Sequence, residues 1–117
     1  MDINSAIQAH TNWKLRLNSL VNGTSKEVLD ENTVGKDNVC DLGKWLYGAG
    51  KQTLGASPLY PELVTTHAQF HLQASSVIKM CKSGQLEKAK GILADPDSTY
   101  NKATLKVVGI LMKLRNS

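Results

Sequence analysis

No stretch of this sequence approaches the ~18 consecutive apolar residues that a membrane-spanning helix requires. The N-terminus has neither a basic start nor an apolar signal core. Both absences point to a cytoplasmic chain with no membrane partner. Aromatic residues are scarce, at 5%, and cysteines number only two. Two cysteines in a cytoplasmic protein suit a metal ligand or a redox thiol better than a disulfide. Charge of one sign is not concentrated either: 14 lysines and arginines face 10 acids, for a net charge of +4 and a pI near 9.1. Lys79, Lys82, Lys88 and Lys90 share one region, which reads as a solvated helix face, because nucleic-acid footprints are denser. No nucleic-acid partner is expected. Strand alternation, repeats and low-complexity tracts are all missing. With 117 residues and 41% hydrophobic content, the chain is expected to form one domain, 1–117, with a real core.

What the sequence does contain is apolar residues at 3-4 spacing, the mark of bundle helices. Ile3, Ala6, His10, Trp13, Leu17 and Leu20 place a first helix over Asp2 to Val21, which Asn22-Gly23 ends. Thr24 to Lys36 is polar and reads as a loop, with room for one helical turn over Ser25–Leu29. Asp37 or Asn38 then caps a short helix from Val39 to Tyr47. Cys40 falls in its first turn, and Leu42, Trp45 and Leu46 are its apolar anchors. Gly43 suggests a close backbone approach. Gly48 to Ser57 is a glycine-rich connection. A phosphate-binding loop is disfavoured there, because no strand precedes it and no Lys-Ser/Thr ends it. Pro61 suits the first turn of a long helix that stops at Gly84. A short helix over Gln85–Ala94 follows. Asp97 or Ser98 caps a last helix to Leu114, with Tyr100, Thr104, Val107, Leu111 and Leu114 on one stripe. The fold class is all-α: an antiparallel four-helix-type bundle with an extra short helix carrying the cysteine.

The histidines define the chemistry. Val64, His67, His71, Ala74, Ile78 and Cys81 follow the same stripe, so His67 and His71 lie one turn apart on a buried face. His10 also sits on a core stripe. Alone it reads as a satisfied core histidine, but every histidine of the chain shares this placement. Three buried imidazoles with few polar neighbours are expensive, and one shared cation satisfies all three. Cys40 can close the set. Near a helix N-terminus, with Lys44 one turn later, its thiolate would be favoured, although the same position suits a structural cysteine. Nitrogen and thiolate donors in a closed tetrahedron favour Zn2+. Cys81 lies ten residues beyond His71, about 15 Å along a helix, too far to share the site.

These residues carry a family resemblance. His10-Thr11-Asn12-Trp13-Lys14, Cys40-Asp41-Leu42-Gly43-Lys44-Trp45-Leu46 and His67-Ala68-Gln69-Phe70-His71 resemble, in order and context, the three motifs of the chemoreceptor zinc-binding domain. The resemblance runs from about His10 to Ile78. It implies a zinc site of His10, Cys40, His67 and His71 in a helical bundle, with Trp13, Lys44 and Trp45 around the ligands. It further implies a sensory input, responsive to zinc or to oxidants such as hypochlorous acid through Cys40. The output would be chemotaxis or cyclic-di-GMP signalling, with a chemoreceptor or diguanylate cyclase as partner. Homodimers are also implied, and Leu15, Ile92 or Ile110 could supply the contact. The chain ends at Ser117 without an output domain, as a stand-alone member or an excised domain would.

Other readings meet specific objections. Zincin hydrolases place Glu after the first histidine, where Ala68 stands here. Di-iron bundles need inward carboxylates, which the stripes of the first and the long central helix lack. Four protein ligands leave no open metal position, so no enzyme is expected. A purely structural zinc, stabilising a bundle that mediates protein–protein interaction, stays open, because the same ligands serve both roles. The sensory reading predicts that Cys40 is the ligand that moves, exposing Leu42 and Trp45 to a partner.

Overall fold

The computed structural model describes residues 2–24 and 28–116. Its described elements are the helices α1 (Ile3–Val21), α2 (Glu31–Val34), α3 (Asp41–Tyr47), α4 (Ala49–Leu54), α5 (Leu59–Lys82), α6 (Leu86–Ala94) and α7 (Thr99–Arg115). No strand occurs among the described residues, and no helix among them is long and apolar enough to cross a membrane. The fold is an all-α antiparallel bundle. Glu62 pairs with Lys106, and Phe70 packs on Tyr100, so α7 runs against α5. The Arg115 guanidinium donates to the Asn4 side chain, so α7 also runs against α1. The short helices α2, α3 and α4 occupy the excursion between α1 and α5.

Local chemistry sets the helix ends. Asp2 caps α1, accepting from the Ser5 N–H at 2.7 Å, and Ser98 caps α7, accepting from the Asn101 N–H at 3.1 Å. α1 closes in a Schellman turn, with Gly23 at φ +72° and the Thr24 N–H on the Ser19 carbonyl. α5 ends the same way, with Gly84 at φ +82° and the Gln85 N–H on the Met80 carbonyl. Only glycine reaches that left-handed conformation without strain, and both stops were legible in the sequence.

Several expectations need correction. The loop over Thr24 to Lys36 contains α2, capped by Asp30. The turn expected over Ser25–Leu29 lies partly outside the described residues, and Val28 and Leu29 are not helical. The glycine-rich connection contains α4, where Gly50 lets the helix lie against the Trp45 carbonyl and indole. By contrast, α5 starts at Leu59, which puts Pro61 in its first turn as expected. Cys40 is not in the first turn of α3 but is its N-cap, displacing Asp37 and Asn38 from that role.

Two apolar clusters make up the core. One gathers Leu17, Phe70, Val77, Leu93 and Tyr100. The other gathers Ala6, Leu42, Leu46, Leu63, Val107 and Leu111. Along α1, His10 falls between Ala6 of one cluster and Leu17 of the other; along α5, His67 falls between Leu63 and Phe70. The histidines therefore occupy the waist between two packed ends, where neighbouring side chains cannot easily rearrange. Ile110, expected as a spare apolar surface residue, is instead 3% exposed in the second cluster, whereas Leu15 is 64% exposed.

Gly43 ties α3 to the loop before it. A Cβ there would overlap the Asp37 carbonyl oxygen and come within 3.1 Å of the Asn38 Cα. Gly91, exposed in α6, has nothing within 4 Å of the same position. Gly43→Ala should therefore destabilise the protein by about 1–3 kcal/mol through overpacking. Gly91→Ala should stabilise it by about 0.5–1 kcal/mol through helix propensity. Urea unfolding of the two variants beside the parent checks both signs.

Candidate metal centre

Three elements carry the candidate ligands, and two of them, α5 and the start of α3, bring donor atoms together. α5 presents His67 and His71 from successive turns, α1 presents His10, and the N-cap of α3 presents Cys40. An N-cap is normally a Ser, Thr, Asp or Asn oxygen. Here the Cys40 Sγ takes that role, accepting from the Gly43 N–H at 3.2 Å. The capping bond fixes where the sulfur points. Tyr47, one helical length away, donates to the Asp37 carboxylate and holds the preceding loop onto α3. That contact pushes the Tyr47 phenol up to about 12.

The Cys40 Sγ lies 3.3 Å from His71 Nε2 and 3.5 Å from His67 Nε2, and the two nitrogens are 3.0 Å apart. Ideal bond lengths of about 2.05 Å to nitrogen and 2.3 Å to sulfur give a tetrahedron with N···N edges near ~3.3 Å and N···S edges near ~3.6 Å. The three donors thus form a triangle close to one face of such a tetrahedron. Cys40, His67 and His71 could hold a metal ion together. His10 stands outside this triangle, its ring centroid 6.4 Å from that of His67 and 4.3 Å from that of Phe70.

Burial keeps these groups neutral. It pushes the His10 imidazole down to about 4 and His67 down to about 3, with the neighbouring histidines adding to the effect. His71 is also lowered by burial, against an opposing pull from the Val34 carbonyl and the Asp37 charge. The neutral form is the one that binds a metal. The Cys40 thiol is raised by burial, and the Gly43 and Leu42 N–H groups only partly offset this. The expected thiolate is therefore not achieved by the helix N-terminus alone: desolvation outweighs it, and a cation would have to displace the proton. Lys44 is exposed, where solvent screens its charge.

Polar atoms without partners test the fit. Both ring nitrogens of His10 and Nδ1 of His67 are buried without a hydrogen-bond partner. Orphaned groups of this kind cost roughly 1–3 kcal/mol each, and a ligand lone pair offered to a cation removes part of that cost. His71 is different. Its Nδ1 sits 2.7 Å from the Val34 carbonyl oxygen, which can only accept. That fixes the proton on Nδ1 and leaves the Nε2 lone pair facing Cys40 and His67. The residues present fit a small cation of borderline softness.

The surroundings of the ligands divide clearly. Trp13 meets the His71 ring edge-on at 5.8 Å and carries the Arg16 guanidinium on its own face at 3.9 Å. Trp45 packs in the second apolar cluster and lines a separate surface cleft with Ile3 and Leu54. Leu42 is 2% exposed, so it is no ready contact surface. Cys81 packs against the first cluster, away from the site. A cleft of about 560 Å³ reaches His10, Cys40, His67 and His71, walled by Trp13 and Val34 among others. The Val34 carbonyl was missed from sequence because a backbone acceptor leaves no mark on residue identity.

The family model for the chemoreceptor zinc-binding domain matches residues 10–78. That span exceeds half of the 117 residues and contains all four candidate ligands. The chain belongs to the chemoreceptor zinc-binding domain family, a class of zinc-binding sensory domains rather than of enzymes. No curated protein and no solved structure matches it.

The lowered histidine values have a signed consequence. Above pH 6.5 the imidazoles are neutral whether folded or unfolded, and the full stability is present. Below it, the unfolded chain takes up protons that the folded chain refuses until about pH 4 at His10 and about pH 3 at His67. Stability of the metal-free protein should therefore fall by about 2–4 kcal/mol between about pH 7 and pH 5. Urea midpoints at the two pH values measure it, and equal midpoints would contradict it.

Proposed function

We propose that this chain is a zinc-responsive and oxidant-responsive sensory domain, with zinc held by His10, Cys40, His67 and His71. The carrying observation is the triangle of Cys40, His67 and His71 donors, 3.0 to 3.5 Å on a side. His10, packed beside His67 with both ring nitrogens unpartnered, would supply the fourth ligand. Zinc bound there would keep the Cys40 sulfur deprotonated and nucleophilic without offering an open coordination position.

The chain's own residues then carry the response. Cys40 is half-buried and lines the open cleft, so a small oxidant can reach it. With hypochlorous acid, the thiolate becomes the sulfenic acid as the chlorine is reduced and leaves as chloride, RS⁻ + HOCl → RSOH + Cl⁻. The sulfenic acid is a poorer ligand, and its sulfur no longer suits the cap position against the Gly43 N–H. α3 has seven residues and is held at its start by that cap, so local opening there is the low-energy motion near the site. Leu42, buried at rest, would be uncovered and offered to a partner. The outputs consistent with the family are chemotaxis or cyclic-di-GMP signalling from the cytoplasm. Pairing of two copies through exposed apolar residues such as Leu15 belongs to the same reading.

Protein purified without added metal should contain stoichiometric zinc, and His67→Ala should lower both zinc content and thermal stability. A folded, metal-free parent whose stability is untouched by His67→Ala would contradict the site. Brief hypochlorous acid treatment followed by mass spectrometry should find Cys40 oxidised before Cys81, with zinc lost in step. Cys40 left intact with its zinc would reduce the site to a structural one.

A further inference from the structure

We propose that Ser75 and Lys82 on α5 are positioning residues for His71, acting through α2. The inference rests on the reading of His71 as a metal ligand. α2 has four residues, far too few to hold a helix by itself. Its place is set from α5. The Ser75 hydroxyl donates to the Glu31 carbonyl at 2.8 Å, and the Lys82 ammonium pairs with the Glu31 carboxylate at 2.6 Å. At the other end of α2, the Val34 carbonyl receives the His71 Nδ1–H at 2.7 Å. His71, Ser75 and Lys82 are spaced at four and seven residues, which puts them on one face of α5. Gly35, the C-cap of α2, lies against the Ser75 side chain, which a Cβ there would meet at 3.4 Å, an ordinary packing distance.

The consequence is chemical. An imidazole carries one proton when neutral, and the Val34 carbonyl holds it on Nδ1. Nε2 then keeps its lone pair toward Cys40 and His67. If α2 leaves α5, Nδ1 loses its acceptor, the ring can turn, and the tautomer with the proton on Nε2 becomes available. That tautomer cannot bind at Nε2. Ser75 and Lys82 touch no donor atom of the site, yet they decide whether Val34 stands where His71 needs it. The coupling runs both ways. His71 engaged at Nε2 is a stronger Nδ1–H donor and grips Val34 harder, so loss of the ligand loosens α2. Leu29 and Val34 are buried in the first apolar cluster, and Val34 walls the cleft. α2 thereby turns the state of the site into a change of surface, independently of α3.

The test is a chelator-competition titration with zinc on the parent, Ser75→Ala/Lys82→Ala, Lys82→Arg and His71→Ala. The double variant should bind zinc about tenfold more weakly, in the range of other outer-layer changes, while Lys82→Arg stays near the parent. Two further readouts separate positioning from general destabilisation. Imidazole ¹⁵N shifts should show His71 protonated at Nδ1 in the metal-free parent and mixed between tautomers in the double variant. Zinc should slow amide exchange at Val34 and Gly35 in the parent and not in the double variant. Equal zinc affinity and an unchanged His71 tautomer in the double variant, with His71→Ala losing zinc, would overturn this inference alone. If His71→Ala binds zinc as tightly as the parent, the site reading fails, and this inference with it.

Discussion

The structure depends on the burial of three imidazoles at a waist between two apolar clusters. The three rings are each 1% exposed, and only His71 finds a hydrogen-bond partner for its Nδ1. A buried polar group without a partner is destabilising, so an arrangement that collects several of them needs something in return. Converging lone pairs from His67 and His71, with the Cys40 sulfur at 3.3 to 3.5 Å, supply the means: they form a cation site. On this account the cation belongs to the core as much as to the function.

The scaffold divides the ligands by rigidity. His10 and His67 stand on long helices locked by packed side chains above and below. Cys40 stands at the very start of a seven-residue helix, where its sulfur is placed by one capping bond and the helix body by Leu42 and Leu46 in the second cluster. His71 belongs to a long helix but borrows its tautomer from α2, four residues long. Two of the proposed ligands thus sit on or against short helices of seven and four residues. A sensor needs this asymmetry, because a site with four equally rigid ligands has no low-energy motion to couple to its state.

The long helices and the burial of the three histidines were legible in the sequence because a 3-4 stripe survives whatever packs against it. His10, His67, Ala74 and Ile78 all landed where their spacing put them. Gly23 and Gly84 announced the ends of α1 and α5. α2 and α4 were not legible, since helices of four and six residues are too short to display a period. Cys40 as a cap was missed because cysteine is a rare cap, and Asp37 and Asn38 looked better suited. Ile110 shows the limit of stripe arithmetic: which apolar residues remain outside is settled by neighbouring helices, and the sequence does not say which helix lies where. The partner of His71 is a backbone carbonyl, for which residue identity holds no signal.

X-ray absorption at the zinc edge of the purified protein tests the central claim most directly. The account predicts one sulfur at about 2.3 Å and three nitrogens at about 2.0–2.1 Å, with the sulfur shell lost in Cys40→Ala and unchanged in Cys81→Ala. A first shell of oxygens, or a sulfur that survives removal of Cys40, would contradict it.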